Sequence, residues 1–392
     1  MENNFRAVVY GMLCGLPLTA AAVSGEQDLD EAVPLDVPVI AAPAAAGSLD
    51  RPYRYRGYAL AEWSNLIPDA AALKTRDQSL TEANASGSMA FDNGLQVFGD
   101  LTGTYHFRDE SGNVLLNQTG VRYTSGSWEL LLGKERARKS PGMVVSPSDF
   151  LFPNDSLPGL REQRTGVWMA RASWQVPGHS ADAIYLHNLV VNDQGFPDDD
   201  QTRRGAVLRY FRQSSAFDAG MNYAVIDGEH AAGGWAQTYI MKTTKLYLDA
   251  GYRESEWILN QSARDVTKIL VGVNYEGYSD GLFRLEVLAN NRGLEGALGA
   301  VPGTADAFGV LDSVFYRRWY GIANLQFSDL WKESVFTLNH IRAFEYSEWI
   351  WMARYEVPLT RHQAIGSMLG LFHKLAGIPD ATLVTLDWKY TF

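Results

Sequence analysis

The sequence predicts an all-β fold, a single transmembrane antiparallel β-barrel that spans residues 54–392. Three observations lead to this prediction. Hydrophobic and polar residues alternate with a period of two through most of the chain after Arg54, charged residues recur in the middle of these stretches, and aromatic residues concentrate near their ends. Almost no stretch has a convincing helical period.

The composition excludes several classes of protein. The 392 residues carry a net charge of -11, 46% of them are hydrophobic, and only one is Cys. That hydrophobic content is too high for intrinsic disorder, and the negative charge argues against nucleic-acid binding as the main role. One Cys builds neither a disulfide framework nor a Cys-based metal site.

The first residues indicate a secreted protein. Residues 1–22 have a polar start with one basic residue, an apolar stretch and an Ala-Ala-Ala end, which is typical of a signal peptide; the alternative is a short membrane anchor. Residues 23–53 are acidic and then rich in Ala and Pro, which predicts a flexible periplasmic leader.

The last strand shows why a membrane barrel is favoured over a soluble sandwich. From Val384 to Phe392, one face carries Val, Leu, Trp, Tyr and Phe, and the other carries Thr, Asp and Lys. A membrane strand of about 9–11 residues needs such an apolar outer face and a polar inner face that lines a lumen. Six tryptophans near strand ends suggest interfacial belts: Trp63, Trp168, Trp174, Trp235, Trp349 and Trp388.

The alternation predicts about eighteen strands, an even number, with sixteen as the alternative. They are predicted at 54–63, 84–92, 94–107, 113–124, 127–134, 165–175, 182–191, 203–213, 218–226, 234–242, 244–253, 265–275, 280–290, 314–327, 331–341, 346–356, 363–373 and 381–392.

The connections between the predicted strands tend to alternate in length. Long gaps fall around 64–83, 135–164, 192–202, 254–264 and 291–313, and tight turns lie between them. Long extracellular loops and short periplasmic turns place both termini in the periplasm. The gap at 342–345 is short where a long one is expected, which keeps sixteen strands open.

The final Phe392, with aromatic or apolar residues at alternate positions before it, resembles the assembly signal of Gram-negative outer-membrane barrels. The strand number and the arginines of the interior are similar to alginate-export-type barrels and to porins, and residues 132–136 and 146–151 look like the "strand, Gly-Lys/Arg, loop, Pro-x-Asp" segment of porin-like families. The resemblance implies a protein of the cell outer membrane that contacts lipid and lipopolysaccharide and engages the barrel-assembly machinery through its last strand.

The segment 133–164 is the leading candidate for a functional site. It has a surplus of basic residues and four prolines, so we predict that it folds into the lumen as a stiff constriction that favours anions. Arginines on the wall extend this basic surface, and the alternative is that they pair with Asp and Glu in a neutral network. The predicted solute-binding residues are Lys134, Arg136, Arg138, Lys139, Arg161, Arg164, Arg171, Arg209, Arg253, Arg284 and Arg354.

The remaining polar residues carry weaker signals. Asp193 and the run 198–200 could hold a divalent cation with lipopolysaccharide, although a solvated acidic loop is the simpler interpretation. His187 with Asn188 and Asn339 with His340 make no catalytic pair, because adjacent strand residues point to opposite sides. We therefore expect no enzyme, no cofactor, no metal site and no nucleic-acid partner.

The predicted function is an outer-membrane channel with a polar lumen. The favoured solute is a small or polymeric anion, such as an anionic saccharide or exopolysaccharide in export or diffusion. A general small-solute porin is the alternative within this class. A plugged structural or adhesive barrel is the alternative outside it.

Overall fold

The computed structural model describes residues 53–68, 76–107, 110–136, 140–151, 166–187, 204–258, 261–277, 281–294, 315–331, 333–374 and 380–392. The predicted signal peptide at 1–22 and nearly all of the predicted leader at 23–53 lie outside these residues. The described residues form eighteen strands: β1 (Tyr53–Pro68), β2 (Arg76–Ala90), β3 (Leu95–His106), β4 (Ser111–Ser125), β5 (Trp128–Glu135), β6 (Val167–Val176), β7 (His179–His187), β8 (Arg204–Gln213), β9 (Phe217–Ile226), β10 (Glu229–Met241), β11 (Thr244–Ile258), β12 (Gln261–Glu276), β13 (Gly281–Asn290), β14 (Trp319–Phe327), β15 (Val335–Ala343), β16 (Trp349–Thr360), β17 (Gln363–His373) and β18 (Ala381–Thr391).

The strands form one closed antiparallel barrel. Each strand pairs with the next one along the chain, and β1 also pairs with β18, where Trp63 lies opposite Leu386. The backbone N–H of Gly57 donates to the Phe392 carbonyl at 3.0 Å, and the Phe392 N–H donates to the Gly57 carbonyl at 2.9 Å. The prediction of eighteen strands is therefore confirmed, and the alternative of sixteen is wrong.

Two of the predicted long connections are mostly strand. β1 extends to Pro68 and β2 begins at Arg76, so most of 64–83 is strand. β11 extends to Ile258 and β12 begins at Gln261, so most of 254–264 is strand. The extension pairs Ser255 with Arg264. Polar residues occupy both faces there, so the strands stay paired without the alternation by which the other strands were recognised.

The two faces of the wall differ in chemistry. The outward residues include many exposed large apolar side chains, such as Leu208, Met221, Val271, Leu285 and Leu369, while buried polar side chains such as Asp182, Asp249 and Asn324 lie on the inner face. This is the arrangement of a barrel with lipid outside and a polar lumen inside. Within the described residues, the structure has no helix that is long and apolar enough to cross a membrane.

The connections distinguish the two ends of the barrel. We call the end that holds the connections after odd-numbered strands, including the stretches 136–166, 188–203 and 291–318, the long-loop end. The other end, where both β1 begins and β18 ends, is the short-turn end. The long connections predicted around 135–164, 192–202 and 291–313 lie at the long-loop end, whereas the connections after β3, β9, β11 and β15 at the same end are short.

We expect Leu369→Arg to destabilise the barrel in a bilayer by about 2–4 kcal/mol, because a charge at mid-membrane depth on the lipid face is costly. Leu369 lies near the middle of β17 and is 47% exposed on the outer face. Urea unfolding in lipid vesicles measures the change. The matched control is Leu330→Arg, in the connection between β14 and β15 at the short-turn end, for which we expect about 0–1 kcal/mol; equal losses would contradict the proposed lipid-facing position of Leu369.

Candidate functional site in the barrel lumen

Residues 140–151, which we call the inner segment, lie against the inner face of the wall. Met143, Val144 and Val145 are buried in one apolar cluster with Leu270 and Leu288. Phe150 and Leu151 are buried in a second cluster on the inner face of neighbouring strands, with Leu131, Ile184 and Val207. The apolar residues of this connection are therefore covered by the wall rather than by solvent.

Two buried carboxylates of the wall hold the backbone of the inner segment. Asp249 on β11 accepts hydrogen bonds from the Ser146 hydroxyl and the Ser148 N–H, both at 2.8 Å. Glu286 on β13 accepts from the Met143 N–H at 2.7 Å and from the Tyr247 hydroxyl at 2.6 Å. Both carboxylates are fully buried, and hydrogen bonds are what makes such burial tolerable.

Two glycines make room for the inner segment. A Cβ atom at Gly251 would lie 1.9 Å from the Pro147 carbonyl oxygen, and one at Gly233 would lie 2.8 Å from the Ser148 Cα. The backbone of the segment therefore approaches the wall more closely than any side chain would allow. Asn222 completes the contact by donating to the Ser148 carbonyl at 2.7 Å.

Two of the predicted wall arginines bind the inner segment. Arg209 Nη2 lies 3.1 Å from Asp149 Oδ1, and both side chains are almost completely buried. Arg253 donates to the Asp149 carbonyl at 3.3 Å, and its guanidinium lies 5.2 Å from the centroid of the Phe150 ring. These arginines join the segment to β8 and β11. The hydrogen bonds and close contacts of the segment thus extend over β8 to β13, and its apolar residues also share a cluster with side chains of β5 and β7.

Other predicted arginines pair with carboxylates across strands. Arg171 is 2.6 Å from Glu129 and 2.8 Å from Glu135. Arg122, which the sequence analysis did not single out, also contacts Glu135 at 2.5 Å. Arg122 lies on the inner, polar face of β4. Its alternation with the exposed Val121 and Tyr123 is the sequence pattern that could have identified it as a residue of the lumen.

Arg354 and Arg284 have different surroundings on the inner face. Arg354 donates to both oxygens of Asp387, at 2.9 and 3.1 Å, and to Glu356 at 3.2 Å. Arg284 lies opposite Asn274 and Asn324 in the register of β12 and β14, and no ion pair joins it to any carboxylate of the described residues. Among the predicted wall arginines, Arg284 is therefore the one whose flanking side chains are neutral amides.

Two predicted positions change face in the structure. Lys134 lies opposite Trp168 and shares a face with the strongly exposed Leu132, so it is on the outer face rather than in the predicted constriction. Trp235 lies opposite Asp249 on the inner face, beside Gly220, and does not join the outer aromatic belt. Trp235 was assigned from its position near a strand end, which does not fix the side to which a residue points, and Lys134 was assigned as part of the basic segment 133–164.

The other basic residues of the predicted constriction are only partly covered by the structure. Arg136 directly follows β5 and is half-buried. Arg138, Lys139, Arg161 and Arg164 lie outside the described residues, as do Asp193 and the acidic run at 198–200. Within the described residues, no group of three or more His, Cys, Asp or Glu side chains is placed to hold a metal ion.

A further buried arginine, Arg317, lies at the long-loop end and was not found from the sequence. It binds Glu348 through Nη2 at 2.5 Å and Nε at 3.1 Å, and its guanidinium is 3.8 Å from the centroid of the Tyr346 ring. Burial lowers the pKa of Arg317, but the hydrogen bond and the charge of Glu348 outweigh burial and raise that pKa above its usual value. The residue joins the stretch before β14 to the turn before β16.

The chain is similar in fold to solved outer-membrane proteins. OccAB4 of Acinetobacter baumannii matches with a TM-score of 0.60 at 9% identity, over 87% of this chain and 98% of the other. The outer membrane protein OpdK of Pseudomonas aeruginosa matches with a TM-score of 0.58 at 10% identity, over 88% of this chain and 100% of the other. A structure of Pseudomonas aeruginosa OpdK with vanillate matches with a TM-score of 0.56 at 9% identity, over 86% of this chain and 98% of the other.

These structural neighbours are Gram-negative outer-membrane porins, and at this identity the likeness shows the fold alone. No protein-family description and no curated protein matches the sequence.

We expect Gly251→Ala to displace the inner segment while the barrel stays folded, because the added methyl group would overlap the Pro147 carbonyl. Chymotrypsin followed by mass spectrometry should then detect cleavage after Phe150, which is 3% exposed in the native protein. The control is Gly103→Ala, where a Cβ meets nothing within 4 Å. Protection of Phe150 in both variants would show that the segment does not depend on this close approach.

Proposed function

We propose that the protein is a channel of the Gram-negative outer membrane that passes solutes through a polar lumen, with its long loops outside the cell and both termini in the periplasm. One observation carries the proposal: a closed barrel is apolar outside and polar inside, and a connecting segment is fixed against its inner wall. A transmembrane channel needs the apolar outside and the polar lumen. The predicted signal peptide and the assembly signal at Phe392, which the barrel-assembly machinery would recognise, agree with this location.

The proposed solute is an anionic saccharide, and the surroundings of Arg284 support this choice. Arg284 lies in one row across β12–β15, between Asn274 on one side and Asn324 and Asn339 on the other, and Asn324 donates to Asn339 at 2.8 Å. Arg284 is half-buried, whereas its Nε atom and the Oδ1 atoms of Asn274 and Asn324 are buried and make no hydrogen bond within the described residues. A guanidinium suits a carboxylate, and amide side chains suit the hydroxyl groups of a sugar.

The solute bound to OpdK is in keeping with an anion. Vanillate is a carboxylate that also carries a hydroxyl group, and OpdK was crystallised with it. For the present chain, an arginine beside neutral amides would bind such a combination of groups by charge-assisted and neutral hydrogen bonds.

The second candidate function is a general channel for small solutes. It is favoured by the ion pairs of Arg171, Arg209 and Arg354, because an arginine paired with a carboxylate contributes little net charge to the lumen. For both candidate functions we propose transport rather than catalysis.

We expect Arg284→Gln to lower the anion preference of the refolded full-length barrel, measured as the reversal potential under a KCl gradient in a planar bilayer. Block of the current by glucuronate should weaken about tenfold or more, the loss expected for a hydrogen bond to a charged group. Arg284→Lys is the matched control, because it keeps the charge, and therefore the chloride preference, but loses the bidentate contact.

Comparison of solutes separates the candidate functions. Glucose carries the hydroxyl groups without the charge and acetate carries the charge without the hydroxyl groups, so both should block less than glucuronate. Unchanged selectivity and block in Arg284→Gln would favour the general channel, and absence of conductance would favour a plugged structural barrel. Arg136→Ala with Arg138→Ala, in the same measurement, tests the predicted basic constriction.

A further inference from the structure

The outer face of β14–β17 carries a group of aromatic and basic side chains near the long-loop end. Arg342 on β15 lies opposite Trp349 on β16, which in turn lies opposite His373 on β17. One row closer to the middle of the strands, His340 lies opposite Trp351. We call these five residues the outer cluster. They share the outer face with exposed apolar residues such as Leu369 and Leu371 and do not face the lumen.

Ring stacking orders this cluster. The rings of His340 and Trp351 are stacked with centroids 3.9 Å apart, and those of Trp349 and His373 with centroids 5.2 Å apart. His340 Nδ1 is 3.0 Å from the Ile350 carbonyl oxygen, to which it donates, and this bond fixes the ring. One stacked pair thus lies in the same row as the exposed Arg342, and the other lies one row closer to the middle of the strands. Arg342 is close enough to His340 to interact with it electrostatically.

Arg342 lacks a carboxylate partner among the described residues. The acidic side chains at the ends of these strands have other partners: Asp380 accepts from His373 at 2.8 Å and from the Lys374 N–H at 3.1 Å, and Glu348 binds Arg317. The exposed Glu345 forms no ion pair with Arg342. A guanidinium on an outward, partly apolar surface therefore offers its donors to something outside the chain.

The depth of the cluster indicates what that ligand is. Towards the middle of the strands, the same outer rows carry Leu325, Leu338, Ala353 and Leu369. From the middle of the strands to the long-loop end, the outer face thus changes from an apolar surface to a cation flanked by indole rings. This order matches an amphiphile with acyl chains and an anionic headgroup, whereas a second protein subunit would require no such change at the rim.

At the opposite end of these strands, the described outward residues of the strands include no cation, and the exposed Arg361 lies in the turn between β16 and β17. The outward residues at that end include Phe327, Phe336 and Tyr355, which form an aromatic girdle without an arginine or lysine on the described outer face. A general need for interfacial anchoring would produce similar residues at both ends. Within the described part of β14–β17, only the long-loop end places an arginine on the outer face of a strand beside stacked rings, which favours an anionic group on that side of the membrane.

We propose that the outer cluster binds the phosphate of a phosphorylated lipid in the outer leaflet. The proposal rests on the orientation given under the proposed function, with the long-loop end outside the cell. Arg342 contacts the phosphate through its fork of donors, the indole rings of Trp349 and Trp351 lie at the headgroup level, and the leucines below contact the acyl chains. The lipid is held at the edge of the barrel and takes no part in solute passage.

Native mass spectrometry of the full-length barrel in detergent tests the proposal, because it counts bound lipids. The probe is a disaccharide-based lipid with two phosphates, the anchor of lipopolysaccharide, and it is compared with the same lipid after enzymatic removal of the phosphates. We expect the phosphorylated lipid to bind more tightly to the wild-type barrel. Arg342→Gln should weaken that binding about fivefold, the effect of roughly 1 kcal/mol per basic residue at an anionic lipid surface.

The matched control is Lys242→Gln, which removes one exposed charge from the turn between β10 and β11 at the short-turn end and should leave binding unchanged. Equal binding by wild type and Arg342→Gln, or equal affinity for the dephosphorylated lipid, would overturn the proposal. So would a dimer or trimer that Arg342→Gln dissociates, since the face would then be an interface between copies. The wild-type comparison of the two lipids stands even if the variant does not fold.

The measurement does not involve ion flow. A barrel that binds the phosphorylated lipid but conducts no ions would contradict the proposed channel and leave the lipid site intact. A barrel that conducts ions but does not prefer the phosphorylated lipid would contradict the lipid site and leave the proposed channel intact.

Discussion

The pairing of β1 with β18 is the interaction on which every other feature of this protein depends. In a lipid bilayer, unpaired backbone N–H and C=O groups cost several kcal/mol each, so a sheet of eighteen strands must close on itself. Closure joins the chain's last residue, Phe392, to Gly57 by two backbone hydrogen bonds. Once the register is closed, each residue of a strand is assigned to the lipid or to the lumen, because successive side chains alternate.

The inner segment depends on this assignment. Asp249 and Glu286 are directed inward by the register of β11 and β13, and buried carboxylates there would be very unfavourable without partners. The backbone N–H groups of Met143 and Ser148 supply those partners. The segment and the wall therefore stabilise each other: the wall needs donors for its carboxylates, and the segment needs acceptors for its backbone and cover for its apolar side chains. The segment behaves as part of the inner wall rather than as a loose loop.

The sequence predicted the strands well because the bilayer imposes its pattern on every second residue. All eighteen predicted strands are present, and the pattern missed the extensions of β1 and β2 and of β11 and β12. It also failed for Trp235, since an error of one residue at a strand end reverses the face, and Lys134, assigned to the basic segment 133–164, lies on the outer face of β5. The alternation pattern could not predict which residues form ion pairs. Arg209 and Asp149 are 60 residues apart in sequence, and they meet only because the inner segment crosses to β8.

The arginines of the barrel show that location decides what an arginine does. Arg209 is inside a packed wall, where an unpaired charge would be costly, and it has a buried carboxylate partner. Arg342 is on the outer face near the rim, where a long side chain can extend its charge to the headgroup layer, so it needs no partner from the chain. Arg284 lies between these cases: it is on the lumen face, half-buried, and flanked by amides instead of carboxylates. A count of basic residues in the sequence treats all three alike. Depth and face separate them, because the cost of removing a guanidinium from water determines whether the protein must supply the counter-charge or can leave it to a solute or a lipid.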